Sequence, residues 1–312
     1  MTPRLGIDLG GTKIEGILLE GNEIVEVFRT STPKDDYPGT IDAIIHVVAE
    51  LEQRHAVNQP LPVGIVTPGA ISHRTGLMKN CNSTCLNGQN LLHDLSQKSG
   101  RPVRISNDAD CFALSEASDG AGADGRSVFG VILGTGVGGG VCYEGKLLQG
   151  VNAICGEWGH NPLALNALTS LPDNSIIQGR PCYCGRKDCV ESWLSGPAFE
   201  AIYSERVGNK RSHKPTAREI VERMDSDTDA AFILEQYCHL LALALSGVIN
   251  ILDPDIIVLG GGMSNIPELY DRVPEILPTY VFSDQVNTVI RQAQHGDSSG
   301  VRGAAWLWPR NE

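Results

Sequence analysis

Apolar positions alternate with small or polar ones where the chain begins: Leu5-Gly6-Ile7 leads to Asp8, and the pattern resumes at residues 15–19 after Leu9-Gly10-Gly11-Thr12. A period of two on either side of a glycine turn predicts a β-hairpin. Over residues 40–53 the period lengthens, and Ile41, Ile44, Ile45, Val48 and Leu51 fall on one face of a helix. Residues 61–66 are a buried strand by composition, ending in Thr67-Pro68-Gly69. Residues 103–106 form another, ending at Asn107-Asp108 ahead of a helix whose apolar face carries Cys111 and Leu114. Hairpin, helix and strand in this order predict a mixed α/β sheet with helices packed on it.

The small, flexible segment 119–125 is the expected crossing between two lobes. The opening motif then recurs in outline: a strand at 128–133, the run Gly134-Thr135-Gly136-Val137-Gly138-Gly139-Gly140, and a strand at 141–143. Two strand-glycine-strand hairpins suggest a duplicated architecture, although two glycine turns can also arise independently. Residues 230–252 predict a long, largely buried helix that Asp253-Pro254-Asp255 stops before a strand at 256–259 and the triplet Gly260-Gly261-Gly262. A terminal helix over 300–308 is expected to return to the first lobe. The expected division is an N-terminal lobe of 1–118 plus 296–312 and a C-terminal lobe of 119–295.

Composition narrows the classes. A chain of 312 residues, 41% hydrophobic, is long for one simple core and suits two lobes. Its longest apolar stretches, such as 240–252, fall short of a membrane span, and Met1-Thr2-Pro3-Arg4 lacks the succession of a signal peptide, so a cytoplasmic protein without a membrane partner is expected. A formal net charge of -12 argues against a nucleic-acid partner, since phosphate backbones demand clustered Lys and Arg. Nine cysteines, an odd number, favour reduced thiols or a metal site over a disulfide framework.

Glycine turns bind phosphate because the backbone, free of Cβ, approaches closely and points several N–H groups at one anion. Asp8-Leu9-Gly10-Gly11-Thr12-Lys13 adds a hydroxyl, an ammonium and a carboxylate that could hold Mg²⁺ directly or through water. It is not a P-loop, because Thr12 precedes Lys13 and a strand follows where a helix should begin. Gly134-Thr135-Gly136-Val137-Gly138-Gly139 matches the dinucleotide fingerprint by letter, but a strand follows it too. Any one of the three turns could be an ordinary tight turn. Cys182, Cys184 and Cys189, with a glycine between the last two, have zinc spacing, and His160 is the best fourth ligand upstream; three reduced cysteines in a loop are the alternative. Four protein ligands would close the shell, making the zinc structural.

Together these residues resemble the ROK family, a set of bacterial sugar kinases and related repressors, over essentially the whole chain. The resemblance rests on the turn at 8–13, the turn at 133–140, the loop at 260–262 and Gly156-Glu157-Trp158-Gly159-His160 with its three cysteines. It implies the actin-like ATPase (ribonuclease H-like) fold, two lobes with an active-site cleft between them, and ATP, Mg²⁺ and structural Zn²⁺ as cofactors. It makes Asp8, Leu9, Gly10, Gly11, Thr12 and Lys13 the first phosphate motif, with Asp8 near the magnesium. Gly134, Thr135, Gly136, Val137, Gly138 and Gly139 become the second, and Gly260, Gly261 and Gly262 the adenosine loop. Asn107 and Asp108 correspond to the family's sugar-binding pair, Asp108 being the catalytic base; by sequence alone Asp108 could equally cap a helix. Glu157, His160 and Glu191 align with contacts to sugar hydroxyls, and Pro68-Gly69 with a loop lining the same pocket. For Glu157 the plain alternative is a solvated loop carboxylate, and for Glu191 a helix-terminal charge.

The resemblance also implies a homodimer acting on a small-molecule hexose. A long insertion, residues 161–181, departs from many family glucokinases. The run 79–89, the segment 157–162 and the ending 295–306 look most like fructokinases that also accept mannose, making D-fructose the expected substrate. Parts of 107–117 and 133–140 resemble N-acetylglucosamine kinases as well, so N-acetylglucosamine or glucose stands as the alternative. A sugar-responsive repressor is the rival of another class, disfavoured because only seven residues precede Asp8; a nicotinamide dehydrogenase is raised only by the fingerprint at 134–139.

Overall fold

The computed structural model describes residues 3–72, 74–81, 83–168, 179–208 and 214–308. Part of the insertion, 169–178, and Asn82 of the run 79–89 lie outside the described residues. By contact the chain divides into two compact units. The first comprises Met1–Asp124, Gly140–Cys155 and Gln294–Glu312, and the second Gly125–Gly139 and Gly156–Ala293.

The first unit opens with strands β1 (Arg4–Leu9), β2 (Lys13–Glu20) and β3 (Glu23–Ser31), an antiparallel meander whose first hairpin is the predicted one. Helix α1 (Tyr37–Arg54) starts where Asp36 accepts from the Gly39 N–H, and it buries Ile41, Ile44, Val47, Val48 and Leu51. Ile45 sits at the edge of that face, half-buried. Each fully buried aliphatic side chain contributes about 1.5–3 kcal/mol, so this stripe is what docks the helix. Strands β4 (Val63–Thr67), β5 (Ala70–Ile71) and β6 (Met78–Lys79) follow, then α2 (Leu91–Ser99), β7 (Val103–Asn107) and α3 (Asp108–Asp119). The sheet runs β3-β2-β1-β4-β7, with β4 parallel to both β1 and β7. The carboxyl ends of β1, β4 and β7 therefore lie side by side, the edge at which open α/β sheets take ligands.

A second five-stranded sheet contains β8 (Ser127–Leu133), β9 (Val137–Tyr143) and β10 (Lys146–Leu147). Helices α4 (Glu191–Leu194), α5 (Gly196–Val207), α6 (Ala217–Val221) and α7 (Thr228–Leu252) precede β11 (Ile256–Gly260), α8 (Glu268–Ile276) and β12 (Val289–Gln292). Its order, β10-β9-β8-β11-β12, repeats the first sheet's third-second-first-fourth-fifth arrangement, so the duplication suggested by two glycine hairpins extends to whole sheets. Strand β9 begins at Val137, four residues earlier than the glycine content predicts, because Gly138, Gly139 and Gly140 pair as strand residues. Only Gly134-Thr135-Gly136 is left as the turn. No helix starts at these glycines, which removes the context a dinucleotide fingerprint requires.

Among the described residues α7 is the one helix long and apolar enough to cross a membrane, and 78% of its most apolar stretch is buried inside the protein. Its hydrophobicity serves a core. The last helix, α9 (Ser299–Trp306), belongs to the first unit and packs on β1, β4 and α3 through buried Gly303, Ala304 and Ala305. Beside it lies a buried polar knot. Glu116 accepts from the N–H groups of Ala121, Gln294 and His295 and from the Ser299 hydroxyl, at 2.9–3.0 Å. Asp119 accepts from His295 Nε2 at 2.8 Å and pairs with Arg302.

Candidate active site

In the first unit the predicted residues converge on the carboxyl edge of the sheet. Asp8 is the penultimate residue of β1, opposite Glu15 on β2. The Gly10-Gly11-Thr12 tip closes through a Gly10 N–H to Lys13 carbonyl bond of 3.0 Å and is braced by Thr32, whose Oγ1 donates to the Gly10 carbonyl at 2.7 Å. Gly11, Thr12 and Lys13 are exposed, so their backbone and hydroxyl donors are available to an anion. Glu15 is held by Lys13 at 3.3 Å and by Arg29, and despite burial these partners bring its pKa below the usual value.

Burial raises the Asp8 pKa, the Glu15 charge adds to this, Lys13 opposes it, and Asp108 raises it further. A carboxylate with two anionic neighbours and partial burial is poised for a cation, which would relieve all three. Asn107 caps α3, accepting from the Asp110 N–H at 2.7 Å, and Asp108 opens the helix with Oδ1 on the Ala109 N–H at 2.9 Å. The capping role thus falls to Asn107, and Asp108 stands exposed one residue on. Thr67, the last residue of β4, pairs with Asn107, which puts Pro68 and Gly69 next to Asn107 and Asp108.

The second unit gathers the other set. Glu191, at the start of α4, accepts from the Val137 N–H at 2.9 Å. A Cβ at Gly136 would stand 2.7 Å from the Glu191 carboxylate, so a larger residue there would push that side chain off the Val137 N–H. The Trp158 indole N–H donates to the Gly138 carbonyl at 2.9 Å, and its ring meets Phe129 edge to face. Two residues flanking the loop of Cys182, Cys184 and Cys189 therefore fasten the second glycine turn. Gly134 and Thr135 share a cavity of about 790 Å³ with Gly262, and its other walls include Glu200, Arg218, Met263 and Ile266. Gly260 is the last residue of β11, and Gly261 leads into the short turn that begins at Gly262.

His160, Cys182, Cys184 and Cys189 bring their donor atoms within 4.8 Å of one another. His160 Nδ1 is 3.5 Å from Cys182 Sγ, and Cys184 Sγ is 3.6 Å from Cys189 Sγ. Bonds of about 2.3 Å in a tetrahedron imply sulfur separations of about 3.8 Å, so the donors fit zinc. The side chain of Arg186 donates to Cys184 at 3.5 Å and draws that thiol down to about 6, while burial pushes Cys189 up. Gly185 makes the bend at φ +86°, and Asp188 accepts from the N–H groups of Gly179 and Arg180. His160 Nε2, expected to face sugar, lies 2.9 Å from the Tyr183 hydroxyl. Glu157 is exposed at the entry to the 3-10 turn that carries His160.

Sequence reasoning missed Glu15, Trp158, Tyr183, Asp188 and the α5–α6 wall of the cavity. Only Tyr183 carried a signal, lying between two cysteines of the cluster; the others act through contacts that spacing does not encode.

The fold is that of the actin-like ATPases, and the chain belongs to the ROK family, whose description matches residues 4–311. It is 41% identical over 304 residues to an N-acetyl-D-glucosamine kinase of Vibrio vulnificus, covering 97% of this chain and 98% of that one. A ROK hexokinase from Thermus thermophilus superposes with a TM-score of 0.83 at 27% identity, covering 98% and 97% of the two chains. A ROK glucokinase from Streptomyces griseus, in complex with glucose and AMPPNP, gives 0.69 at 25% identity, covering 98% and 99%.

Fructose is overturned as the expected substrate: relatives 39–41% identical over 97% of the chain are N-acetyl-D-glucosamine kinases. The segments that suggested it are spent on local structure. In the run 79–89, Asn87 closes a loop by accepting from the Cys81 N–H at 2.9 Å and donating to the Cys81 carbonyl at 3.0 Å. The ending forms α9 and packs on the first sheet. Such residues report fold more than they report a sugar.

Proposed function

We propose that this ROK-family sugar kinase transfers the γ-phosphoryl group of ATP to the primary hydroxyl of N-acetyl-D-glucosamine. The observation that carries the reading is the 41% identity, sustained over 97% of the chain, to a kinase of that sugar. Asp108 is the proposed base, taking the proton of the attacking hydroxyl as the bond to phosphorus forms. Asn107, Pro68, Gly69, Glu157, His160 and Glu191 are proposed to orient the sugar.

In this reading the tip 10–12 and Lys13 bind phosphate oxygens, and the turn 134–136 with the cavity beside Gly262 takes the remainder of the nucleotide. A magnesium ion near Asp8 would neutralise charge developing on the phosphates. Zinc on His160, Cys182, Cys184 and Cys189 would be structural, its shell closed by four protein donors. The site of action is proposed to be the cytoplasm.

An ADP-release assay with N-acetylglucosamine, N-acetylmannosamine, glucose, mannose and fructose tests the proposal. The highest kcat/KM is expected with N-acetylglucosamine. A higher value for another hexose, or no sugar-dependent ADP, overturns it.

A further inference from the structure

The cavity of about 790 Å³ is lined by residues of the second unit, and Glu200 on α5 puts a carboxylate into its wall. Gly196 and Glu200 are four residues apart on that helix, so both fall on the face that lines the cavity. Glu200 Oε1 accepts from the N–H of Ala217, another lining residue, at 2.8 Å, which holds the end of the side chain at the wall where α5 meets α6. Among the described residues Oε2 has no hydrogen-bond partner. Arg218 on the same wall pairs with Glu222 at 2.7 Å.

Distance along the helix sorts the parts of a nucleotide. The Gly196 N–H donates to the Gly134 carbonyl at 2.8 Å, so α5 starts at the glycine turn proposed for the nucleotide. Glu200 stands one turn further on, about 6 Å along the axis. A carboxylate repels phosphate and needs a neutral donor. The ribose hydroxyls are the first neutral donors beyond the phosphates, and the amine of the base lies further out.

We infer that Glu200 recognises the ribose, its Oε2 accepting from a 2′- or 3′-hydroxyl, so that the protein takes ribonucleotides in preference to deoxyribonucleotides. The inference rests on the reading of the chain as an ATP-dependent kinase and holds whichever hexose is the acceptor. Discrimination follows because a site built to hydrogen-bond a hydroxyl leaves its own polar group unpaired when that hydroxyl is missing. Oε1 stays on Ala217, so one side chain both joins α5 to α6 and reads the ligand.

The test measures kcat and KM for ATP, 2′-deoxy-ATP, 3′-deoxy-ATP and a purine riboside triphosphate lacking the 6-amino group, in wild type and Glu200→Gln, with the best hexose saturating. Glu200→Gln keeps an oxygen for the Ala217 N–H and replaces the second oxygen with a donor. In wild type the KM for at least one deoxy analogue is expected to be about tenfold above that for ATP, with kcat within about twofold, since a hydrogen bond to a charged acceptor is lost from binding. In Glu200→Gln the KM for ATP rises and that ratio shrinks to about threefold or less, with the hexose KM unchanged. Equal KM values for ATP and both deoxy analogues in wild type, an undiminished ratio in Glu200→Gln, a matching rise in hexose KM, or a penalty confined to the analogue without the amine overturns the inference. Wild type that consumes no ATP with any hexose sinks the proposed function itself; wild type that consumes ATP and both deoxy analogues alike sinks only the role of Glu200.

Discussion

The carboxylate of Glu191 accepts a hydrogen bond from the Val137 N–H at 2.9 Å, tying the helix that follows Cys189 to the second glycine turn. A buried N–H left unpaired costs about 1–3 kcal/mol. Glu191→Ala is therefore expected to loosen the turn and raise the KM for ATP by about tenfold, whereas Glu191→Gln, which can still accept, should raise it less. Steady-state kinetics with ATP varied at saturating sugar distinguish the two.

Asn107 caps the helix and Asp108 gives only Oδ1 to the Ala109 N–H, which leaves Oδ2 for the proposed chemistry. Asp108→Asn should lower kcat by about 10²- to 10⁴-fold, the usual worth of a general base, while calorimetry still detects sugar binding. Near-normal turnover in that variant would remove Asp108 from the mechanism.

Asp8 carries the opposite trade. Its raised pKa means that the charged form is disfavoured in the folded protein, so the cost is present above the ordinary carboxylate value and relieved on protonation. Asp8→Asn should raise Tm at neutral pH by about 2–4 °C while cutting kcat/KM by about 10²-fold. A variant that is both active and no more stable would contradict the account of this carboxylate.

The four donors around His160 predict close to one zinc ion per chain by elemental analysis, lost in Cys184→Ser. Thermal unfolding of that variant should begin at lower temperature, since a closed metal site adds to folding stability. Purified wild-type protein free of zinc would leave the cluster a set of reduced thiols.

Asp119, fully shielded from solvent, gives a pH dependence. Burial pushes its pKa up, but the hydrogen bonds and charges of His295 and Arg302 prevail and hold it below 3.8. A depressed carboxylate stabilises the fold above its unfolded pKa and loses that contribution as pH falls through the folded value. Tm should therefore drop steeply below about pH 4. Asp119→Ala should cost about 3–5 kcal/mol at neutral pH, because it leaves Arg302 buried without its partner.

Local pattern determined a good deal. The first hairpin, the apolar face of α1, the strands ending at Thr67 and Asn107, the long core helix and the Cys–His spacing are all set by residues within a turn or two of one another. Periodicity and short-range geometry are written in consecutive side chains. The family, too, was legible, because its glycine turns and closely spaced cysteines are contiguous motifs.

Tertiary structure decided what depends on residues far apart in the chain. Sequence could not assign Gly138 and Gly139 to a strand, because glycine carries no strand preference and only pairing within the sheet fixes it. It could not find Glu191 on the Val137 N–H across 54 positions, Glu15 opposite Asp8, or Trp158 on the Gly138 carbonyl. Sugar preference went astray for the same reason: a kinase selects its hexose through a few side chains brought together by folding, while the segments most alike in sequence were those that close loops and pack helices.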